Sequence, residues 1–254
     1  MMKLKKLKIS QIGCGWLGLP LGEALVQSGH DLVSTTRTPL KQFALSKNFE
    51  THLFDVTKDS LDQRLLSADL IIYTIPPLGQ GEVERFFKTV SPEKKIIFIS
   101  STSVFGKSSG MVDDNSSQNP QTKNGKSLSQ SESFLRSLFK NLTIIRPGGL
   151  YSEDRHPVYS LQGKKELTTG SELLHLVHRD DVIEAIKKII ENQLWSENFN
   201  LINDVRVPKE EYYTAKALEL KLTPPQFTPT LLENPTNISN EKSKKRLSLN
   251  YKNY

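Results

Sequence analysis

A single cysteine, Cys14, stands in the 254 residues of this chain. No intrachain disulfide can form, and a reducing compartment, the cytoplasm, is expected. No window approaches the apolar length of a membrane span, and the opening MMKLKKLKIS is basic without the apolar run of a secretory signal. A membrane location is therefore not expected. Internal repeats and long low-complexity segments are also missing. The excess of Lys+Arg (34) over Asp+Glu (28) gives a net charge of +6, which suits anionic ligands but is spread along the chain. The one local basic run, Lys242, Lys244, Lys245 and Arg246, reads as a solvated helix face, so nucleic acid is not an expected partner.

What is present reads as α/β. The length allows one large core, or one core with a small appended lobe. Residues 7–12 read as a strand, although Ser10 and Gln11 are more polar than a strand buried on both faces usually tolerates. Leu17, Leu21, Ala24, Leu25 and Ser28 then recur at helical spacing, Pro20 fits a first turn, and Gly29 ends the helix. DLVSTT reads as the next strand. LIIYTIPP (70–77), KKIIFISS (94–101) and LTIIRP (142–147) continue an alternation that predicts a doubly wound parallel sheet. Residues 107–125 form a polar loop long enough to be functional, and the following segment, 126–140, has Leu128, Leu135, Leu138 and Phe139 on one helical face. Beyond Asn203 the pattern weakens into a proline-rich stretch and a short final element.

Gly13, Gly15 and Gly18 form G-x-G-x-x-G between a strand and a helix. The first glycine permits the tight turn, the second lets the backbone approach a pyrophosphate, and the third allows close helix packing. The helix start adds free N–H groups and partial positive charge. An NAD site would place a carboxylate at the end of the second strand, roughly 20 residues on. Here Thr35, Thr36 and Arg37 stand there, and Arg37 can pair with a 2′-phosphate through its planar fork. NADP is favoured over NAD. Asp55 is the expected partner of the adenine amino group.

GCGWLG, FISSTSVFG, IRPGGLY and LVHRDDVIEAI occur in the order and spacing of the extended and atypical short-chain dehydrogenase/reductases, the sugar-nucleotide epimerase/dehydratase-like proteins. The chain resembles that family over about residues 7–250, and GWLGLPL with STSVFG and RHP is most similar to an atypical bacterial branch labelled nucleoside-diphosphate-sugar epimerase. The resemblance implies a Rossmann domain over 1–150, rejoined by about 175–203, and a small substrate lobe over 151–174 and 204–254. It also implies cofactor contacts from Trp16, Leu17, Thr74, Pro76, Ser100, Pro147 and Gly148 beside the glycines, Thr36, Arg37 and Asp55. Active members use a serine with a Tyr-x-x-x-Lys pair. Tyrosine, with a reference pKa of about 10, needs a neighbouring cation to exchange protons near neutrality.

Carried over by position, Ser101 matches the serine, with Thr102 and Ser103 as nearby hydroxyls. Anchoring the helix on Glu132 puts Asn124 at the tyrosine and Leu128 at the lysine, and no tyrosine occurs between Tyr73 and Tyr151. Both replaced positions are expected to face a cleft. General acid–base groups contribute roughly 10²- to 10⁴-fold each. Substitutes would be Lys126, Tyr151 and His156, although Arg155 and His156 read first as binders of an anionic substrate group or as caps of a loop. His178, Asp180 and Asp181 read as structural, His175 and His178 lack a third ligand for zinc, and Cys14 reads as a packing residue in the glycine loop. No metal is expected.

Three functions remain open. The first is an NADP-binding reductase-like enzyme acting on a small polar, anionic or sugar-nucleotide substrate with a non-standard catalytic set. The second is a non-catalytic NADP(H) sensor that signals to a protein partner. The third is a β-hydroxyacid-dehydrogenase-like enzyme, which GCGWLGLPLGEAL and IIYTIPP resemble, and which would require a helix-rich second domain. Beyond a substrate, a second copy of the chain, as a homodimer, is the only assembly considered.

Overall fold

A computed structural model of the chain describes residues 5–59, 62–77 and 81–252. The first four residues, part of the basic opening, lie outside it. Strand β1 (Lys8–Ile12) leads through the glycines into α1 (Gly18–Gln27). There follow β2 (Asp31–Thr36), α2 (Pro39–Leu45), β3 (Glu50–Leu53), α3 (Gln63–Leu66), β4 (Leu70–Tyr73), α4 (Glu82–Phe87) and β5 (Lys95–Ile99). The second half runs β6 (Met111–Val112), α5 (Lys123–Leu138), β7 (Leu142–Pro147), β8 (Gly149–Tyr151), α6 (Pro157–Leu161), β9 (Leu176–His178) and α7 (Arg179–Glu191). It closes with β10 (Asn198–Leu201), α8 (Lys209–Glu219), β11 (Asn237–Ile238) and α9 (Glu241–Leu247).

Seven strands form one parallel sheet in the order β10-β7-β5-β4-β1-β2-β3. The chain winds outward from β1 to β3 and returns on the other side at β4. The crevice at the carboxyl ends of β1 and β4 is therefore the switch point where doubly wound sheets hold ligands. One apolar cluster packs α1 and α7 against the sheet, and a second packs α4 and α5 on the opposite face. All four residues of β4 and all six of β7 are buried, as crossover helices on both faces require.

Of the polar residues of β1, Gln11 has a structural use. Gln11 is fully buried, and its Nε2 donates to the Gly18 carbonyl at 2.8 Å, tying the strand to the start of α1. Gly29, at φ +88°, stops α1 as expected, with Gly29 N–H on the Val26 carbonyl and His30 N–H on the Leu25 carbonyl. Helix α5 begins three residues before the amphipathic pattern because Thr122 caps it, its Oγ accepting from Gly125 N–H at 3.0 Å. The polar loop before it is not wholly irregular, since β6 pairs with β11 from the far end of the chain.

A third, smaller cluster joins Tyr151, Val158, Leu174, Leu176, Tyr213 and Ala217, with Val205 and Phe227 packed against it. Leu247, Leu249 and Tyr251 instead join the first cluster, so the closing segment packs with the sheet and not with the small lobe. The basic face of α9 is ion-paired: Lys242 and Arg246 meet Glu197, and Lys244 meets Asp204. After β7 the chain returns to the sheet through α7 and β10, and among the described residues no helix-rich second domain follows.

Candidate functional site

The three glycines occupy three different physical situations. Gly13 has φ +104°, a conformation side chains disfavour, and a Cβ there would lie 2.8 Å from Ile75. A Cβ on Gly18 would lie 2.2 Å from the Gly13 carbonyl, so only glycine lets α1 start this close to the turn. A Cβ on Gly15 would meet nothing within 4 Å. That open face at the start of α1 fits the close approach of a pyrophosphate. The Thr74 hydroxyl donates to the Gly13 carbonyl at 2.5 Å, and Gly13 N–H donates to the Thr35 hydroxyl at 2.9 Å, so neighbouring strand ends hold the loop.

Beside the loop lies a cleft of about 440 Å³ lined by Gly13, Cys14, Gly15, Thr36, Arg37, Lys41 and, across it, Thr74 and Pro76. Its described lining holds two cations and no carboxylate. Lys41, four residues past Arg37 in the first turns of α2, is the cation sequence reading missed; its spacing behind Pro39 was the available signal. Cys14 is buried, and burial pushes its thiol above the usual range, as suits a packing residue. The Asp55 carboxylate is engaged by the Thr57 N–H and hydroxyl, which hold it below the usual carboxylate range, and it does not line the cleft. Leu17 is core. Trp16 is stacked between the guanidiniums of Arg155, at 4.9 Å, and Arg179, at 4.8 Å.

A second cleft, about 580 Å³, opens beyond the carboxyl end of β5. Ser101, Thr102 and Ser103, read as catalytic hydroxyls, line it together with Gly148, which the resemblance had implied as a cofactor contact. Ser101 Oγ accepts from Ser103 N–H at 3.1 Å, which fixes the short turn 102–104. The opposite wall brings Lys107, Glu172, Lys209 and Tyr213, which the sequence did not suggest, together with His175, which it had weighed only as half of an incomplete zinc pair. His175 Nε2 accepts from Ile238 N–H at 3.2 Å, which leaves the proton on Nδ1. Burial, with Arg206 and Lys209 nearby, lowers its pKa to about 4, so the ring is neutral at physiological pH. No sequence signal grouped these residues, because they come from three separate segments.

Other expected groups lie elsewhere. Asn124 is exposed in the first turn of α5, Lys126 is also exposed, and Leu128 is 4 % exposed within the second core cluster. Neither replaced position lines the cleft; helix α5 turns the 128 position into the α4–α5 packing face instead. Tyr151 is buried, its hydroxyl donates to the Lys252 carbonyl at 3.2 Å, and its ring lies between His156 and His178. His156 caps α6, Nδ1 accepting from Val158 N–H and Nε2 meeting the Tyr212 hydroxyl at 3.1 Å. Burial lowers its pKa to about 4. Tyr151 and His156 face a separate 240 Å³ cavity with Tyr159 and Lys216, so neither reaches Ser101, and Arg155 is held on Trp16 rather than at the substrate cleft. His178 caps α7, while Asp180 and Asp181 hold Lys252, a structural use of the HRDD segment.

Beneath the second cleft lies a buried ion pair. Glu132 on α5 takes Arg146 on β7 at 2.9 and 2.6 Å, and also accepts from the Ser100 hydroxyl and the Gln118 amide, each at 2.6 Å. Ser100 therefore turns its side chain into this network, and Pro147 follows Arg146 as the buried end of β7. The arrangement fixes the strand ends that carry Ser101 and Gly148. Among the described residues no group of three or more His, Cys, Asp or Glu could hold a metal, and no helix is long and apolar enough to cross a membrane.

This architecture is shared with several solved structures. A functionally unknown conserved protein from Silicibacter pomeroyi DSS superposes with a TM-score of 0.79 at 18% identity, over 96% of this chain and 93% of that one. UDP-glucuronic acid 4-epimerase from Bacillus cereus, in complex with NAD, gives 0.78 at 18% identity over 97% and 92%. MoeE5 in complex with UDP-glucose and NAD gives 0.77 at 15% over 97% and 94%. The chain thus has the same doubly wound Rossmann fold as these structures. No family model matches it. Protein YeeZ of Escherichia coli (strain K12) is 30% identical over 242 residues, 88% of each chain. The chain belongs to the family of Protein YeeZ.

Proposed function

We propose that this protein binds NADP(H) at the glycine loop and acts on a small polar or sugar-nucleotide substrate in the adjoining cleft, without the usual Tyr-x-x-x-Lys pair. The observation that carries the reading is the lining of the first cleft: Arg37 and Lys41 beside Thr36, with no carboxylate to repel a 2′-phosphate. The open face of Gly15 and the start of α1 suit the pyrophosphate. Similar structures named as NAD complexes support a dinucleotide at this place in the fold.

When bound, the nicotinamide supplies or accepts hydride. The chain's own part falls to the second cleft. Ser101, with Thr102 and Ser103, orients a substrate oxygen, and the neutral His175 offers its Nδ1–H as a hydrogen-bond donor. A neutral imidazole can polarise a carbonyl without transferring a full proton. Asn124 and Leu128 contribute no acid or base. That absence also supports the sensor reading, in which cofactor binds without turnover.

Calorimetric titration with NADPH and, in parallel, NADH tests the proposal, with Trp16 fluorescence as a second readout. Micromolar NADPH binding with much weaker NADH binding is expected. Equal affinities would remove NADP selectivity, and no binding of either would remove the cofactor. A substrate screen on the NADPH-loaded protein then separates enzyme from sensor.

A further inference from the structure

We propose that the wall of the second cleft formed by Lys107, Glu172 and Lys209 is a subsite for a terminal oxyanion of the substrate, a carboxylate or a phosphate monoester. That group takes the place of Glu172 between the two lysines. The inference rests on the proposed function only in taking this cleft as the substrate site.

The three residues come from three parts of the chain. Lys107 follows β5 on the sheet side, Glu172 precedes β9, and Lys209 is the first residue of α8. They meet at the cleft wall, where Glu172 Oε1 lies 3.4 Å from Lys107 Nζ and Oε2 lies 2.6 Å from Lys209 Nζ. Each carboxylate oxygen thus takes one ammonium, the geometry a substrate carboxylate or phosphate would adopt there. Glu172 is a resident stand-in for such a group.

Charge and mobility favour exchange. Among the described lining residues two ammoniums face one carboxylate, and His175 is neutral, so the wall keeps a positive surplus. The Lys107 side chain is 71% exposed, and an ion pair of that kind is weak. Lys209 is better anchored, because its backbone N–H donates to the Glu172 carbonyl at 2.9 Å. The main chains of Lys209 and Glu172 therefore stay in register while the Glu172 side chain rotates away. The rest of the wall mixes apolar residues, Leu173, Leu176 and Ile238 among them, with the neutral polar groups Ser108, Ser109, Asn234 and Thr236, which suit a partly polar molecule. Those groups cannot compete with Glu172 for the lysines, whereas an oxyanion can.

Inorganic phosphate and succinate, titrated separately by calorimetry at low ionic strength, test the assignment. With Glu172→Gln the lysines lose their resident anion, and binding of at least one probe is expected to tighten roughly tenfold over wild type. Whichever probe responds identifies the source of the oxyanion. Lys107→Met, at an exposed position that leaves the fold intact, is expected to reverse that gain, and Lys107→Met with Lys209→Met to abolish it. Unchanged probe affinity in Glu172→Gln, or binding that survives loss of both lysines, overturns the proposal. The wild-type NADPH titration reads the cofactor proposal separately, so failure of either is distinguishable from failure of the other.

Discussion

Arg37 stands at the end of β2 with Lys41 on the same cleft, and a 2′-phosphate between them would gain charge-assisted contacts that a 2′-hydroxyl cannot. Arg37→Asp removes the guanidinium and adds a repelling carboxylate. The expected result is an NADPH dissociation constant raised by about 10- to 100-fold, some 1.4–2.8 kcal/mol, with NADH affinity little changed. Parallel fluorescence titrations of the variant decide the matter, and equal loss for both cofactors would take Arg37 out of 2′-phosphate recognition. The residue type and its place after the second strand were legible in the sequence. Lys41, on the following helix, was passed over in the sequence although its spacing behind Pro39 marked it, and it lines the same cleft.

At the scale of one element, α5 explains why the sequence misled about its own helix. The spacing from Glu132 identifies the positions of Asn124 and Leu128, but not how the helix is rotated against the sheet. Rotation is set by Leu128 and Leu135 packing in the second cluster and by Glu132 reaching Arg146 beneath the cleft. Leu128→Lys would consequently place an ammonium among apolar side chains, at a cost of roughly 3–5 kcal/mol. Asn124→Tyr, at an exposed site, is expected to change stability by no more than about 0.5 kcal/mol. Urea unfolding of the two single variants checks both; a neutral Leu128→Lys would show that the helix presents that position to the cleft after all.

For the whole molecule, histidine burial couples stability to pH. His156 and His175 both have pKa values lowered from 6.5 to about 4, chiefly by burial. Above pH 6.5 both are neutral in either state and the protein keeps their full contribution. Between pH 6.5 and 4 the unfolded chain binds protons that the folded chain refuses, so stability falls as pH drops. Asp114 and Asp181, pushed up by burial, act in the opposite sense. The His156→Gln, His175→Gln double variant isolates the histidine part: its urea midpoint should fall less than that of wild type across this window. Parallel wild-type and variant curves would mean that neither ring is kept neutral by the fold.

The sequence by itself determined five strands of the sheet, the helices α1 and α5, the glycine turn and its three distinct glycines, the Arg37 position and the absence of the tyrosine–lysine pair. These follow from local rules: hydrophobic period, backbone freedom at glycine, and spacing within a single helix. The tertiary structure alone decided which side chains share a cleft. Tyr151 and His156 lie close in sequence to Gly148 yet turn into the small lobe, because β8 and α6 send them toward its apolar cluster. Lys107, the Glu172–His175 stretch and Lys209 are far apart in sequence and meet on one wall, because that wall is built where three segments converge beyond the sheet's carboxyl edge. Side-chain direction and long-range convergence depend on how elements pack, and no local pattern encodes them.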